Sequence, residues 1–328
     1  MNLTVDNFAI INHADIKLDG ITVIAGSNNS GKSTVGKILF SIFHSLHNVA
    51  DQTEKQREKL IYRIFTGSRY LDDDDSFPIL SLFGDNLDRE NILKKDTWEA
   101  FFKKSFPGIK PDSGIVQLKK NIFSILDWPE NKIFKEIIQS IFQNVFHQQI
   151  NSLHESDTIA KISLNIKNKI TDIHFTNNSV SNYTPGIDIV NKAVYFSSPL
   201  VIDYLNDPGV RGFRDVSMNA LLRMLQAYDK RISDTDNALM RSMNKDKLKD
   251  IYQLLDEVIL GDIVLDGGRF ALRQEGYSRP IMLDNLSMGL KAFTVIKMLL
   301  ESDLLERKDV LVLDEPEIHL HPTWQITY

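Results

Sequence analysis

The chain has 328 residues, enough for one large domain or two ordinary ones, and its 42% hydrophobic content supplies a substantial core. Its 38 Lys and Arg stand against 44 Asp and Glu, so a formal charge of −6 gives no overall positive field for nucleic acid or anionic lipid, and only a local basic face stays open. The absence of cysteine excludes disulfides, thiolate catalysis and cysteine-ligated zinc.

No apolar run approaches the roughly 20 residues of a membrane helix. The N-terminal MNLTVDNFAII also lacks the basic start and small-residue cleavage site of a secretion signal. A cytoplasmic protein with no membrane partner is expected.

Leu3, Val5 and Phe8 mark a first strand, and Asp19-Gly20 predicts a turn into an apolar strand, Ile21 to Ala25. A glycine-rich loop and a helix from Lys32 to about Leu46 follow. From about Val49 to Leu153 charged patches alternate with Phe- and Ile-rich helical segments, interrupted by Asp72-Asp73-Asp74-Asp75, Phe106-Pro107-Gly108 and Pro111-Asp112. This predicts a mostly helical insertion. Its clearest helix starts at Asp127-Trp-Pro-Glu130, where Asp127 caps, Pro129 suits the first turn and Glu130 completes a capping box. Ile133, Phe134, Ile137, Ile138, Ile141, Phe142, Val145 and Phe146 then form one apolar stripe, open to two readings: a face packed in its own core, or a partner face.

From Thr158 the period switches to two, and the run to Phe175 reads as a hairpin turning at Asn168-Lys169. Lys192 to Phe196 (KAVYF) is a short buried strand, Met218 to Leu260 is mainly helical, and Ile263 to Arg273 is a hairpin turning at Asp266-Gly267-Gly268. A helix from about Gly289 to Leu305 leads into a last apolar strand, Val310 to Leu313. Strands alternating with helices predict an α/β core, to which the hairpins add an antiparallel layer. The expected division is a head segment 1–48, a helical insertion 49–155 and a second head segment 156–328.

Gly26-Ser27-Asn28-Asn29-Ser30-Gly31-Lys32-Ser33, followed by Thr34, matches G-x-x-x-x-G-K-[ST] between a strand and a helix. Its glycines let backbone wrap phosphate oxygens, and the helix start offers N–H groups and a positive dipole end to the same anion. Lys32 is placed for the β- and γ-phosphates of ATP and the Ser33 hydroxyl for Mg²⁺. Val310 to Leu313 then delivers Asp314 and Glu315 at a strand's carboxyl end, where ligands bind in open α/β sheets. Asp314 is the expected Mg²⁺ partner, direct or through Ser33, and Glu315 the group that polarises an attacking water. Leu286-Ser-Met-Gly-Leu-Lys291 places Ser287 and Gly289 at a helix start, either as a plain N-cap or as a second anion cradle.

The order of these three elements resembles the ATP-binding-cassette (ABC) ATPases, whose phosphate loop, LSGGQ-like signature and DE-containing strand occur in this sequence order. The signature here, LSMGLK, departs from the transporter form. Leu313-Asp-Glu-Pro-Glu-Ile-His-Leu-His-Pro322, with Asn7-Phe8-Ala-Ile and Gly26-Ser-Asn-Asn, looks more like the SMC- and RecF-like branch, above all the overcoming-lysogenization-defect (OLD) type and related bacterial defence ATPases. The resemblance covers residues 1 to about 45 and about 190 to 328. It implies an α/β, ABC-type P-loop ATPase head, a mixed sheet with an antiparallel hairpin layer, carrying a mostly helical insertion. It also implies that two heads sandwich ATP as a homodimer or higher oligomer, with Ser287 and Gly289, joined by Lys291, acting in trans on the partner's Lys32, Ser33, Asp314 and Glu315. A nuclease or other effector protein is the implied partner, and phage defence the implied setting.

The resemblance also implies a further strand with a phosphate-sensing histidine after Tyr328, so the chain is expected to stop inside its own fold. No glutamine stands at Ser197-Ser198-Pro199, the expected place of the glutamine loop. Glu317, His319 and His321 lack the third nitrogen or sulfur ligand a zinc site needs, and Asp72 to Asp75 lacks the glycine and spacing of a calcium loop. Two other functions stay open: a nucleotide-bound interaction module with little turnover, and a RecF-like repair ATPase binding nucleic acid through Lys119, Lys120, Lys167 and Lys169. The large insertion and the altered signature argue against a membrane transporter.

Overall fold

The computed structural model describes residues 1–66, 93–105, 107–108, 114–186, 188–207, 213, 215–233, 248–302, 305 and 308–320. The acidic run Asp72 to Asp75, the Pro111-Asp112 turn and His321 lie outside them. Contacts divide the chain into two compact units: Met1–Val23, Ser45–Gln143 and Gln148–Val190 in one, and Ile24–His44, Asn144–His147 and Asn191–Tyr328 in the other. The helices between Val49 and Gln143 share the first unit with the antiparallel strands.

In the first unit, β1 (Asn2–Phe8) buries Leu3, Val5 and Phe8 and pairs with β2 (Ile11–Lys17) and β3 (Ala160–Ile166). β4 (Lys169–Thr176) and β5 (Ser179–Thr184) complete a five-stranded antiparallel sheet in the order β2-β1-β3-β4-β5. Positive φ angles at Lys167 and Asn168, and again at Asn177 and Asn178, make the two tight hairpin turns. Ala160, Ile162 and Leu164 are buried, as the alternation predicts. The β1–β2 turn at Ala9-Ile10 has no Gly or Pro, so β2 escaped the sequence reading.

Helices α2 (Val49–Thr66), α3 (Lys95–Ser105), α4 (Gly114–Leu126) and α5 (Glu130–Val145) fill the expected helical segment. Ile61, Trp98, Phe102, Ile122 and Ile125 form the buried core of α2, α3 and α4. Arg57 of α2 donates to the carbonyl oxygens of Ile125 (3.2 Å), Leu126 (2.6 Å) and Trp128 (2.6 Å), satisfying the open end of α4. Within the first unit, Phe142 of the α5 stripe meets Phe175 at 5.0 Å and Phe8 at 6.1 Å between ring centroids. Asp127, expected to cap α5, accepts instead from Lys95 at 2.6 Å.

In the second unit, α1 (Lys32–Leu46) follows the glycine-rich loop, and β6 (Ala193–Phe196) pairs in parallel with β10 (Val310–Leu313). Between these strands come α6 (Val201–Leu205), α7 (Val216–Gln226), α8 (Tyr228–Ser233) and α9 (Lys249–Val258). The sheet of β7 (Asp262–Asp266), β8 (Arg269–Arg273) and β9 (Ile281–Met282), then α10 (Met288–Glu301), precede β10. One apolar core runs from Val194 and Phe196 through Leu221, Leu222, Phe270 and Leu272 to Val295 and Met298. The expected strand Ile21 to Ala25 is absent: Ile21 is 95% and Val23 83% exposed. A strand persists only where neighbouring backbone takes up its N–H and C=O groups, and among the described residues none pairs with this run. No described helix is long and apolar enough to cross a membrane.

Candidate nucleotide site

The loop from Gly26 to Ser30 is exposed and turns through left-handed φ at Asn29 (62°) and Gly31 (94°), backbone of the kind that gathers N–H groups into an anion-binding concavity. A Cβ on Gly26 would lie 3.0 Å from Ser30 Oγ, so glycine keeps the loop closed without filling it. Lys32 folds back over the loop, donating from Nζ to the carbonyl oxygens of Gly26 (2.9 Å) and Ser27 (2.8 Å). Thr34 lies half-buried in the first turn of α1, whose first backbone bond runs from Val35 N–H to Gly31 O at 3.1 Å.

The hydroxyl of Ser33 donates to Asp314 Oδ1 at 2.8 Å, across 281 residues of sequence. The second oxygen of Asp314 accepts the phenol of Tyr195 at 2.5 Å, and the Asp314 amide donates to Phe196 O at 3.0 Å. Burial, then the hydrogen bond to Asp314 and that carboxylate's charge, raise the Tyr195 phenol far above the ordinary tyrosine range, so it stays a protonated donor. Tyr195 went unnoticed as a site residue in the sequence reading. The signal was there: one hydroxyl in an otherwise apolar buried strand, AVYF, needs a polar partner.

Glu315 is exposed and adopts the left-handed region at φ 49° and ψ 48°, where β10 gives way to a 3-10 turn, Pro316–His319. An open cleft beside it is lined by Asp314, Glu315, Pro316, Ser197, Ser198, Pro199, Phe196 and Ala292. The glutamine-free segment Ser197 to Pro199 therefore does reach the carboxylates. Ser287 is exposed and N-caps α10, accepting from Leu290 N–H at 3.4 Å, while Gly289 is buried in the first turn. Lys291, expected to act beside them toward a second subunit, is 5% exposed and paired with Asp203 of α6 in its own chain. Among the described residues no three His, Cys, Asp or Glu side chains converge as a metal cluster.

The donor set fits ATP with Mg²⁺. An ammonium held over a glycine-rich concavity suits phosphate, and a hydroxyl beside a carboxylate supplies the hard oxygens magnesium prefers. Against models of known protein families, residues 21–326 match the family described as "AAA domain, putative AbiEii toxin, Type IV TA system". The chain belongs to this family. The match brings with it an α/β P-loop ATPase fold and a nucleotide-binding ATPase that uses ATP, in this family usually with Mg²⁺. No curated protein and no solved structure matches the chain.

Proposed function

We propose that the chain is an ABC-type ATPase head of the SMC-, RecF- and OLD-like branch, whose ATP-dependent dimer gates a nuclease or another effector in anti-phage defence. The observation that carries the reading is the Ser33–Asp314 hydrogen bond, which joins the phosphate loop to the acidic strand end as one site. The order of loop, capped signature and DE strand supports the ABC assignment. The family's description, naming a type IV toxin–antitoxin system, supports a defence setting.

In this reading Gly26 to Thr34 cradle the phosphates and Lys32 neutralises charge on their outer oxygens. Ser33 and Asp314 hold Mg²⁺, which when bound screens the phosphate oxygens. Glu315, at the exposed lip, orients and deprotonates the attacking water. Ser287, with the amides of the α10 start around Gly289, completes the phosphate site of a second copy. ATP then holds the dimer together, and its loss releases it, coupling a local change of charge to a rigid-body rearrangement.

The test is phosphate release from MgATP by the purified chain, with mass followed by light scattering, beside Lys32→Ala and Glu315→Gln. Turnover lost in both variants, with Glu315→Gln held as an ATP-dependent dimer, is the expected result. ATP binding without turnover in the unsubstituted chain would favour a nucleotide-bound interaction module, a reading motivated by the glutamine-free cleft segment Ser197 to Pro199.

A further inference from the structure

Asp314 is oriented from two directions by two hydroxyls. Ser33 of α1 reaches one carboxylate oxygen and Tyr195 of β6 the other, while the backbone of Phe196 fixes the Asp314 amide. Tyr195 is 2% exposed and sits directly across from Val312 in the parallel β6–β10 pair, so its ring has little freedom to move away. Gly36, one turn beyond Ser33, is what lets α1 lie close to this pair. A Cβ there would stand 2.8 Å from Val312 Cγ1 and 3.2 Å from Tyr195 Cε2.

We propose that Tyr195 is a positioning residue of the nucleotide site: its phenol fixes the rotation of the Asp314 carboxylate for the divalent cation, and Gly36 sets the α1 distance this needs. The inference rests on the ATPase reading above. A carboxylate offers about four lone-pair positions, so one donor on each oxygen leaves the others for a metal in a single orientation. Without the phenol, Asp314 keeps Ser33 but is free to turn, and the same oxygens meet the cation in many orientations. Groups that hold a ligand in this way typically govern metal affinity by about 10- to 100-fold.

The test separates metal binding from nucleotide binding. Mn²⁺ affinity in the presence of ATP is read by electron paramagnetic resonance, and metal-free ATP affinity by displacement of a fluorescent nucleotide in EDTA. For Tyr195→Phe, which keeps the ring and its burial, Mn²⁺ affinity falls about tenfold or more, while metal-free ATP affinity stays within about a factor of two of the parent. Gly36→Ala, which pushes on Val312 and the Tyr195 ring, also lowers Mn²⁺ affinity, and urea unfolding of Tyr195→Phe with a midpoint close to the parent's guards against a folding defect. Unchanged Mn²⁺ affinity in Tyr195→Phe overturns the positioning role, and so does an equal fall in both affinities, which marks a merely structural tyrosine. No ATP binding by the unsubstituted chain under either condition overturns the ATPase reading and this inference together.

Discussion

Lys291 and Asp203 form an ion pair that fastens α10, the helix capped by Ser287, to α6, the helix that follows the cleft segment Ser197 to Pro199. Lys291 is buried, whereas the side chain of Asp203 is 33% exposed, so the two single deletions are not equivalent. Asp203→Ala leaves an ammonium buried without its partner and costs about 3 kcal/mol. Lys291→Met leaves a carboxylate that water reaches and costs less. In the double variant most of the loss is recovered, and denaturant unfolding of the four proteins measures the coupling.

Lys32→Ala weakens ATP binding about 10- to 100-fold, the size expected for losing charge-assisted hydrogen bonds to phosphate. Its contacts within the protein are to the Gly26 and Ser27 carbonyls of an exposed loop, so thermal stability without nucleotide stays close to that of the parent. Calorimetric titration and a melting curve read the two halves of this prediction.

Glu315, proposed above to activate water, has an unfavourable backbone, since its φ of 49° lies in the region costly for residues with a Cβ. Glu315→Gln lowers phosphate release by about 100-fold or more and leaves ATP binding intact. Glu315→Gly and Glu315→Ala are equally inactive, but the glycine variant is more stable by about 1 kcal/mol. Equal melting behaviour in these two would remove the backbone argument.

The motifs and most elements were legible in the sequence because each is local. GSNNSGKS between an apolar run and a helical pattern, Asp314-Glu315 after four apolar residues, and the double-glycine hairpin at Gly267-Gly268 all report on neighbours in the chain. What stayed hidden depends on distant contacts. The partner of Asp127 is Lys95, not the helix end, and Lys291 is claimed by Asp203. The run Ile21 to Ala25 has strand composition, yet composition cannot supply the neighbouring strand it needs. Tyr195 reads as core until its hydroxyl is seen to meet Asp314.

Tyr183 gives a pH dependence separate from the site. Burial, and then the charge of Asp188, raise its phenol from 10.0 to about 12. A phenol that ionises less readily in the folded state than in the unfolded chain contributes stability that is complete below pH about 10 and is lost as pH rises toward 12. Tyr183→Phe therefore loses less stability than the parent between pH about 10 and pH about 12 by urea unfolding. Tyr195 and Tyr228, also raised, keep part of the alkaline loss in this variant.

The phosphate loop and the Asp314-Glu315 strand end are proposed to form one ATP-hydrolysing site that works in a dimer. The most direct measurement is phosphate release from MgATP as a function of protein concentration, with mass recorded by light scattering on the same samples. Specific activity is expected to rise with concentration as ATP-dependent dimers form, and Glu315→Gln to stay trapped as a dimer without turnover. Turnover that is independent of concentration in a protein that stays monomeric with ATP, or no turnover at any concentration, would contradict it.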